Sequence, residues 1–165
     1  MNENLKFLKE VFESESLPEE SLPEFVFWGR SNVGKSSLIN SITKSKIAKT
    51  SKTPGRTRSL VFFEFEKKIR IIDFPGYGYS KIPKFNEFKI DRLIENYLTQ
   101  RQVLKFIFLL IDARHGIMEI DKKILDQLDK ILGSKVIIIF TKIDKLKNQD
   151  DKQNLLRNNE QINQI

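Results

Sequence analysis

A segment that could bind phosphate lies early in the chain, where a short loop between two glycines leads into Lys and Ser. Its sequence is Gly29-Arg30-Ser31-Asn32-Val33-Gly34-Lys35-Ser36. An apolar run precedes it and an amphipathic run follows it, which predicts a strand, a loop and a helix. Backbone N–H groups at the start of that helix could point at an anion. We expect Lys35 to reach the β- and γ-phosphates of a nucleotide and the Ser36 hydroxyl to bind Mg²⁺.

A carboxylate that could serve the same metal ion follows a later apolar run, in Asp73-Phe74-Pro75-Gly76. The Asp73 side chain could hold Mg²⁺ through a water molecule, and the Gly76 N–H could contact the γ-phosphate. The alternative is an ordinary turn, because Asp, Pro and Gly all favour turns. Since the segment leaves the end of a predicted strand, we favour the functional interpretation.

A third segment, Thr141-Lys142-Ile143-Asp144, also ends an apolar run and could select a base. Asp144 could accept hydrogen bonds from the N1–H and the exocyclic amine of guanine, a pair of donors that adenine lacks. Lys142 would lay its aliphatic stem across the base. The three segments, in this order, predict binding of GTP rather than ATP.

The loop between the first predicted helix and the second predicted strand is basic and contains three threonines. Among Thr50, Thr53 and Thr57, Thr57 is favoured as a sensor of Mg²⁺ and γ-phosphate, because it adjoins the next strand. Bases in this loop could reach RNA phosphates; the alternative is a solvated, Lys-rich loop. The bases are Lys44, Lys46, Lys49, Lys52, Arg56 and Arg58.

The elements that must position these segments follow from the spacing of apolar residues. The predicted strands are Glu24–Trp28, Ser59–Glu66, Lys68–Asp73, Val103–Ile111 and Lys135–Thr141. The predicted helices are Lys35–Thr43, Phe85–Arg101, Glu119–Leu132 and a weak, polar one at Asp150–Ile162. The close joining of the second and third strands requires an antiparallel hairpin. Together they predict an α/β fold, a three-layer α/β/α domain with a mostly parallel sheet.

Charge divides the chain into an acidic N-terminal arm, residues 1–23, and a basic domain, residues 24–165. Residues 1–24 hold seven acids and two bases, whereas residues 25–165 hold 27 bases and 15 acids. The sum is a net charge of +7. A basic domain favours an anionic partner, above all nucleic acid, although a general enrichment in Lys would give the same balance.

The composition excludes several kinds of site. The chain has no Cys and one His, which excludes disulfides, Cys-bound zinc, iron–sulfur clusters and a thiol nucleophile. The longest apolar runs, Phe106–Ile111 and Val136–Phe140, are too short to span a bilayer. The acidic N-terminus is unlike a secretory signal. We therefore expect a cytoplasmic protein.

The motifs together resemble the EngB/YihA family of bacterial ribosome-biogenesis GTP-binding proteins, which are P-loop GTPases of the translation-factor class. The resemblance covers residues 18–147 and implies a GTP-operated switch with slow, Mg²⁺-dependent hydrolysis of GTP to GDP and phosphate. It also implies a role in assembly of the large ribosomal subunit, with that subunit or its precursor and ribosomal RNA as partners, and a role in cell division and septation. A monomer is expected, with no membrane or DNA partner. The matching segments are Phe25–Asn40, Thr50–Thr57, Asp73–Tyr79, Asp112–Gly116 and Thr141–Lys145.

The resemblance also implies roles for individual residues. Lys35 and Asn32 are the expected catalytic residues, and Asn32 implies a potassium ion beside the phosphates. Ser36 and Thr57 are the expected Mg²⁺ ligands. Tyr77 stands where many GTPases place a water-orienting Gln, which predicts slow intrinsic hydrolysis. The expected GTP-binding residues are Gly29, Arg30, Ser31, Asn32, Val33, Gly34, Lys35, Ser36, Gly55, Arg56, Thr57, Arg58, Ser59, Asp73, Phe74, Pro75, Gly76, Thr141, Lys142, Ile143 and Asp144.

The chain departs from the family pattern in two places. Trp28 is bulky where the family usually has a small residue, which we interpret as a packing variation. After Asp144 the sequence shows no guanine-contacting Ser-Ala-type loop and no further strand, so we expect a domain that lacks the C-terminal strand and helix. Two alternatives stay open: a P-loop ATPase or small-molecule kinase, and a nucleotide-weak or nucleotide-dead RNA- or ribosome-interaction module.

Overall fold

A mixed six-stranded sheet lies at the centre of the structure, a computed structural model that describes residues 5–48, 59–78, 84–146 and 153. The strands are β1 Leu5–Val11, β2 Glu24–Gly29, β3 Leu60–Phe65, β4 Ile69–Asp73, β5 Leu104–Asp112 and β6 Val136–Thr141. The helices are α1 Lys35–Ile42, α2 Lys84–Gln100 and α3 Glu119–Leu132, with short 3-10 turns at Ser14–Ser16, Gly133–Lys135 and Ile143–Lys145. The strand order across the sheet is β1-β3-β4-β2-β5-β6.

Strand pairing confirms the predicted α/β fold. β2 pairs in parallel with β4 and β5, and β5 pairs in parallel with β6. β3 and β4 form the predicted antiparallel hairpin. The predicted strands and the first three predicted helices are present, and α3 has the predicted bounds. The helix predicted at Asp150–Ile162 lies outside the described residues apart from residue 153, and so do residues 49–58 of the basic loop.

The acidic arm contributes a strand to the sheet, which the sequence analysis did not predict. β1 pairs antiparallel with β3, with an irregularity between Phe7 and Lys9. Leu5 and Val11 are buried at its two ends, but the residues between them are exposed. A strand at the edge of a sheet tolerates charges and needs little alternation of apolar side chains. Apolar patterning therefore gave too weak a signal for this strand.

Alternate side chains of the strands pack into two apolar clusters, one on each face of the sheet. On one face Val26, Ile72 and Ile107 join the buried residues of α2 and α3. On the other face Phe27 joins Ile39 of α1. Burial on both faces explains why β2 and β5 are almost continuously apolar. In the described part of the chain, no helix combines the length and the apolar character needed to cross a membrane.

A buried polar cluster lies at the amino-terminal end of β2, centred on Glu24. Its Oε2 accepts hydrogen bonds from the Tyr97 hydroxyl at 2.7 Å and from Arg101 Nε at 2.9 Å. Its Oε1 accepts hydrogen bonds from Arg101 Nη2 at 2.7 Å and Arg70 Nη1 at 3.3 Å. Both oxygens of this fully buried carboxylate are paired, which offsets the cost of removing its charge from water. The cluster ties β2 to β4 and to the end of α2.

Candidate functional site

The three predicted site segments meet at the opposite end of the sheet. The loop after β2, Asp73 at the end of β4 and Thr141 at the end of β6 all leave the carboxyl ends of parallel strands. In open α/β sheets, ligands bind in the crevice at these ends. The topology therefore brings together segments that are far apart in the sequence.

Two glycines shape the phosphate loop for different reasons. A Cβ atom on Gly29 would lie 2.6 Å from the carbonyl oxygen of Leu110 on β5, so a side chain has no room there. Gly34 has φ +112 at the start of α1 and open space around it, so its backbone conformation is what requires glycine. Asn32 adopts the left-handed conformation, with φ +63, which Asn tolerates better than most residues.

Half-buried Lys35 and Ser36 and buried Asp73 form a polar group at the mouth of this loop. Ser36 Oγ donates a hydrogen bond to Asp73 Oδ2 at 3.1 Å. Burial lowers the pKa of Lys35, and the nearby Asp73 carboxylate partly opposes this. Burial likewise raises the pKa of Asp73, against the attraction of Lys35 and the hydrogen bond from Ser36. The buried Asp73 Oδ1 has no hydrogen-bond partner, a costly arrangement unless a ligand or water completes it.

This group fits a magnesium ion. Mg²⁺ takes oxygen ligands, keeps several waters, and needs only one or two side chains beside nucleotide phosphates. The Ser36 hydroxyl and the unpaired Asp73 Oδ1 are oxygens of that kind. Within the described ranges, no group of three or more His, Asp or Glu residues could hold a metal ion by itself, so phosphate oxygens would have to complete the coordination.

The Asp-x-x-Gly segment lies directly against the phosphate loop. Ser31 N–H donates a hydrogen bond to the Tyr77 carbonyl at 3.2 Å, and Arg30 and Tyr77 form an isolated parallel bridge. A Cβ atom on Gly76 would lie 2.9 Å from Ser31 N, Cα and Oγ, so only glycine allows this approach. The Trp28 indole N–H donates to the Pro75 carbonyl at 3.0 Å. Trp28 thus supports the segment, beyond the packing variation that we expected.

Tyr77 and the phosphate loop share a buried partner on α3 that the sequence analysis missed. The Tyr77 hydroxyl donates to Asp121 Oδ1 at 2.7 Å, and burial together with Asp121 raises the pKa of Tyr77. Arg30 Nε lies 3.4 Å from the same oxygen. Arg30 also donates to the Gly116 carbonyl at 3.1 Å and contacts Met118 Sδ. Asp121 lies in the first turn of α3, where acidic residues are common in any helix. The sequence therefore gave no sign that it contacts Tyr77 and Arg30.

The segment that could select a base is attached to the phosphate loop through its first two residues. Thr141 Oγ1 donates to the Val33 carbonyl at 2.7 Å. Lys142 Nζ donates to the Asn32 carbonyl at 2.6 Å and to Asp112 Oδ2 at 2.8 Å. The Asp144 side chain is 72% exposed and lies 3.4 Å from Lys145 Nζ. Its carboxylate is therefore accessible to a base.

The structure does not describe every predicted site residue. Gly55, Arg56, Thr57 and Arg58 lie outside the described residues, so their predicted roles stay predictions. Ser59 is fully buried, and its hydroxyl donates to Glu10 Oε1 on β1 at 2.5 Å. The remaining predicted residues of the phosphate loop, the Asp-x-x-Gly segment and the Thr141–Asp144 segment converge at the carboxyl end of the sheet.

Comparison with known proteins identifies the family. A family model described as "50S ribosome-binding GTPase" matches residues 24–142. The probable GTP-binding protein EngB of Metamycoplasma arthritidis (strain 158L3-1) is 48% identical over 147 residues, which cover 89% of this chain and 79% of that relative. The chain belongs to the EngB family of GTP-binding proteins. As an EngB-family member it is a P-loop GTPase, which confirms the predicted resemblance and reaction.

Solved structures of GTPases resemble this chain, and one of them is an EngB protein. A crystal structure of a probable GTP-binding protein EngB is 31% identical with a TM-score of 0.60, and the match covers 81% of this chain and 78% of that one. A crystal structure of Era in complex with MgGDPNP and nucleotides 1506–1542 of 16S ribosomal RNA is 25% identical with a TM-score of 0.62. That match covers 84% of this chain and 46% of the Era chain.

Proposed function

We propose that this EngB-family GTPase is a switch that assists assembly of the large ribosomal subunit in the cytoplasm and is needed for normal cell division and septation. The observation that carries the proposal is the match of residues 24–142 to a family described as 50S ribosome-binding. The Era chain, which this chain matches over 46% of its length, was solved in complex with 16S ribosomal RNA, and this likeness favours an RNA partner. The basic balance of residues 25–165 is consistent with such a partner.

In this proposal the predicted site residues divide the work of nucleotide binding. The phosphate-loop N–H groups and Lys35 hold the phosphates, and Asp144 accepts hydrogen bonds from guanine while Lys142 covers its face. Ser36, together with Thr57, holds Mg²⁺, and Asp73 supports it through water. When bound, Mg²⁺ neutralises charge on the phosphate oxygens. Supporting observations are the Ser36–Asp73 hydrogen bond and the unpaired Asp73 Oδ1.

The switch would consist of two segments, residues 46–57 and 76–88, that respond to the γ-phosphate. Gly76 and Tyr77, at the start of the second segment, contact Ser31 of the phosphate loop, which supports this part of the proposal. The Tyr77 hydroxyl is already engaged by Asp121, so it cannot orient water as a Gln amide would. Intrinsic hydrolysis would therefore be slow, and a partner or a potassium ion at Asn32 would accelerate it.

The proposal is tested by sedimenting the purified chain with large ribosomal subunits. Binding is expected with a non-hydrolysable GTP analogue but not with GDP, and it should weaken steeply with salt, with a log–log slope of about −0.7 to −0.9 for each phosphate contact. Replacing Lys46, Lys49 and Lys52 with Gln should weaken binding to the subunit and leave GTP affinity unchanged. Equal binding with GDP and the GTP analogue would contradict a switch.

Depletion of the protein in its host tests the cellular part of the proposal. Incomplete large subunits should accumulate in sucrose gradients before filaments without septa become visible. A depletion that blocks septation while the ribosome profile stays normal would overturn the assembly role. Titration with a fluorescent GDP separates the proposal from a nucleotide-dead interaction module, which would bind the ribosome without binding GDP.

A further inference from the structure

One buried carboxylate near the phosphate loop has no role in the proposed mechanism. Asp112 is the last residue of β5, and its side chain is 7% exposed. It accepts hydrogen bonds from the Arg114 backbone N–H at 3.1 Å, from Arg114 Nε at 2.9 Å and from Arg114 Nη2 at 2.7 Å. It also accepts the hydrogen bond from Lys142 Nζ at 2.8 Å. The Arg114 side chain, which is the more exposed of the two basic partners, binds both carboxylate oxygens, and Lys142 contacts Oδ2 from the side of the phosphate loop.

Lys142 is held at two points as a result. Its ammonium donates to Asp112 Oδ2 and to the Asn32 carbonyl, which belong to different segments of the chain. A free Lys side chain has many rotamers, and fixing them costs conformational entropy when a ligand binds. Two acceptors at the far end of the stem fix those rotamers in advance. A preorganised group binds its ligand more tightly because this cost is already met by the fold.

We propose that Asp112 is a positioning residue for guanine-nucleotide binding. It fixes the Lys142 stem where the base would lie, and through the same ammonium it secures the Asn32 carbonyl of the phosphate loop. Asp112 itself does not touch the nucleotide. This inference rests on the proposed guanine site at Lys142 and Asp144, and the experiment below separates the two.

The first test is Asp112→Asn, which keeps the shape of the side chain but replaces one acceptor oxygen with a donor. GDP affinity is expected to fall about tenfold, the range for loss of a hydrogen bond to a charged group. The KM for GTP should rise by the same factor, while kcat at saturating GTP stays within about twofold, because binding of ground state and transition state is weakened equally. Asp126→Asn, on the exposed face of α3, is the matched control and should change nothing.

A double-mutant cycle tests whether Asp112 acts through Lys142. Lys142→Met alone should weaken GDP binding, and adding Asp112→Asn to it should cause no further loss. Arg114→Gln leaves the Asp112–Lys142 pair in place, so GDP affinity should stay within about twofold. A change of that size is smaller than the coupling energies that residues in direct contact usually show. Asp112→Glu keeps the charge and should retain more affinity than Asp112→Asn.

Several outcomes would overturn the inference. These are unchanged GDP affinity in Asp112→Asn, an equal loss with and without Lys142→Met, a fall in kcat without a rise in KM, or equal losses in Asp112→Glu and Asp112→Asn. If Lys142→Met itself leaves GDP affinity unchanged, the proposed guanine site fails instead. Thermal melting of each variant confirms that the folded protein is being measured.

Discussion

The two ends of the sheet each carry a buried carboxylate beside basic groups, but their hydrogen bonding differs. At the amino-terminal end of β2, both oxygens of Glu24 accept hydrogen bonds from side chains around them. At the carboxyl end of β4, Asp73 accepts one hydrogen bond from Ser36, and its Oδ1 has no partner. Lys35 lies near enough to affect the pKa of Asp73.

The difference separates a structural cluster from a ligand site. The Glu24 carboxylate is fully paired within the chain, so its charge stabilises the fold only while its partners are present. At the other end, burial raises the pKa of Asp73 and lowers the pKa of Lys35. Both shifts disfavour the charged forms of the two side chains. Bound phosphates would stabilise the Lys35 ammonium, and bound Mg²⁺ would stabilise the Asp73 carboxylate. Such perturbed groups in a crevice are typical of functional sites.

The largest expected effect comes from breaking the Glu24 cluster. Glu24→Ala leaves the buried guanidinium groups of Arg70 and Arg101 without their carboxylate, and should lower the free energy of unfolding by about 3–5 kcal/mol. The folded fraction should retain its GDP affinity. Urea denaturation and fluorescent-GDP titration measure the two effects.

Glu20→Ala is the control for that change. Glu20 is partly exposed and accepts hydrogen bonds from the Gln102 and Val103 backbone N–H groups. Its loss should cost about 1 kcal/mol. A similar cost for both variants would show that the Glu24 carboxylate contributes no more than the exposed Glu20, which lies 3.8 Å from Arg101 Nη1 at the edge of the cluster.

The converse effect is expected at the phosphate loop. Lys35→Met removes a half-buried ammonium that the folded state already disfavours, so the free energy of unfolding should change by less than about 1 kcal/mol. GDP affinity should fall about 100-fold, because a charge-assisted contact to phosphate is lost. Lys130→Met, on the exposed part of α3, is the control. A large loss of stability in Lys35→Met, comparable with Glu24→Ala, would remove the distinction between the two ends.

Removing one hydroxyl at each end gives a smaller, matched comparison. Tyr97→Phe takes a donor from Glu24, and Tyr77→Phe takes a donor from Asp121. We expect a loss of about 2 kcal/mol for the first and about 1 kcal/mol for the second. The second is smaller because the Tyr77–Asp121 hydrogen bond is only partly buried, whereas the Tyr97–Glu24 hydrogen bond is fully buried. Equal losses in parallel denaturation curves would contradict this difference.

The sequence predicted the nucleotide end far better than the opposite end, for a physical reason. Phosphate binding requires close approach and backbone conformations that glycine allows, and a cation for the phosphates, so Gly29, Gly34 and Lys35 mark the loop in the sequence itself. The Glu24 cluster is assembled from three elements that are distant in sequence, and no local pattern identifies its members. The same limit hid the contact between Tyr77 and Asp121. β1 was missed because an exposed edge strand carries little apolar alternation.

The smallest expected effect concerns Asp112, a fully paired carboxylate at the nucleotide end. Although burial opposes it, the hydrogen bonds from Arg114 and Lys142 lower the pKa of Asp112 well below its ordinary value. The folded state then binds fewer protons than the unfolded state, so this contribution to stability is present above about pH 4 and is lost as pH falls below that value.

The free energy of unfolding of the unmodified chain should exceed that of Asp112→Asn by an amount of the order of 1 kcal/mol at pH 7, and the difference should shrink towards pH 3. The difference between the unmodified chain and Asp126→Asn should stay near zero throughout. A constant difference from pH 7 to pH 3 would show that Asp112 stabilises the fold by its shape and not by its charge. The resemblance of its hydrogen bonding to that of Glu24 would then be geometric only.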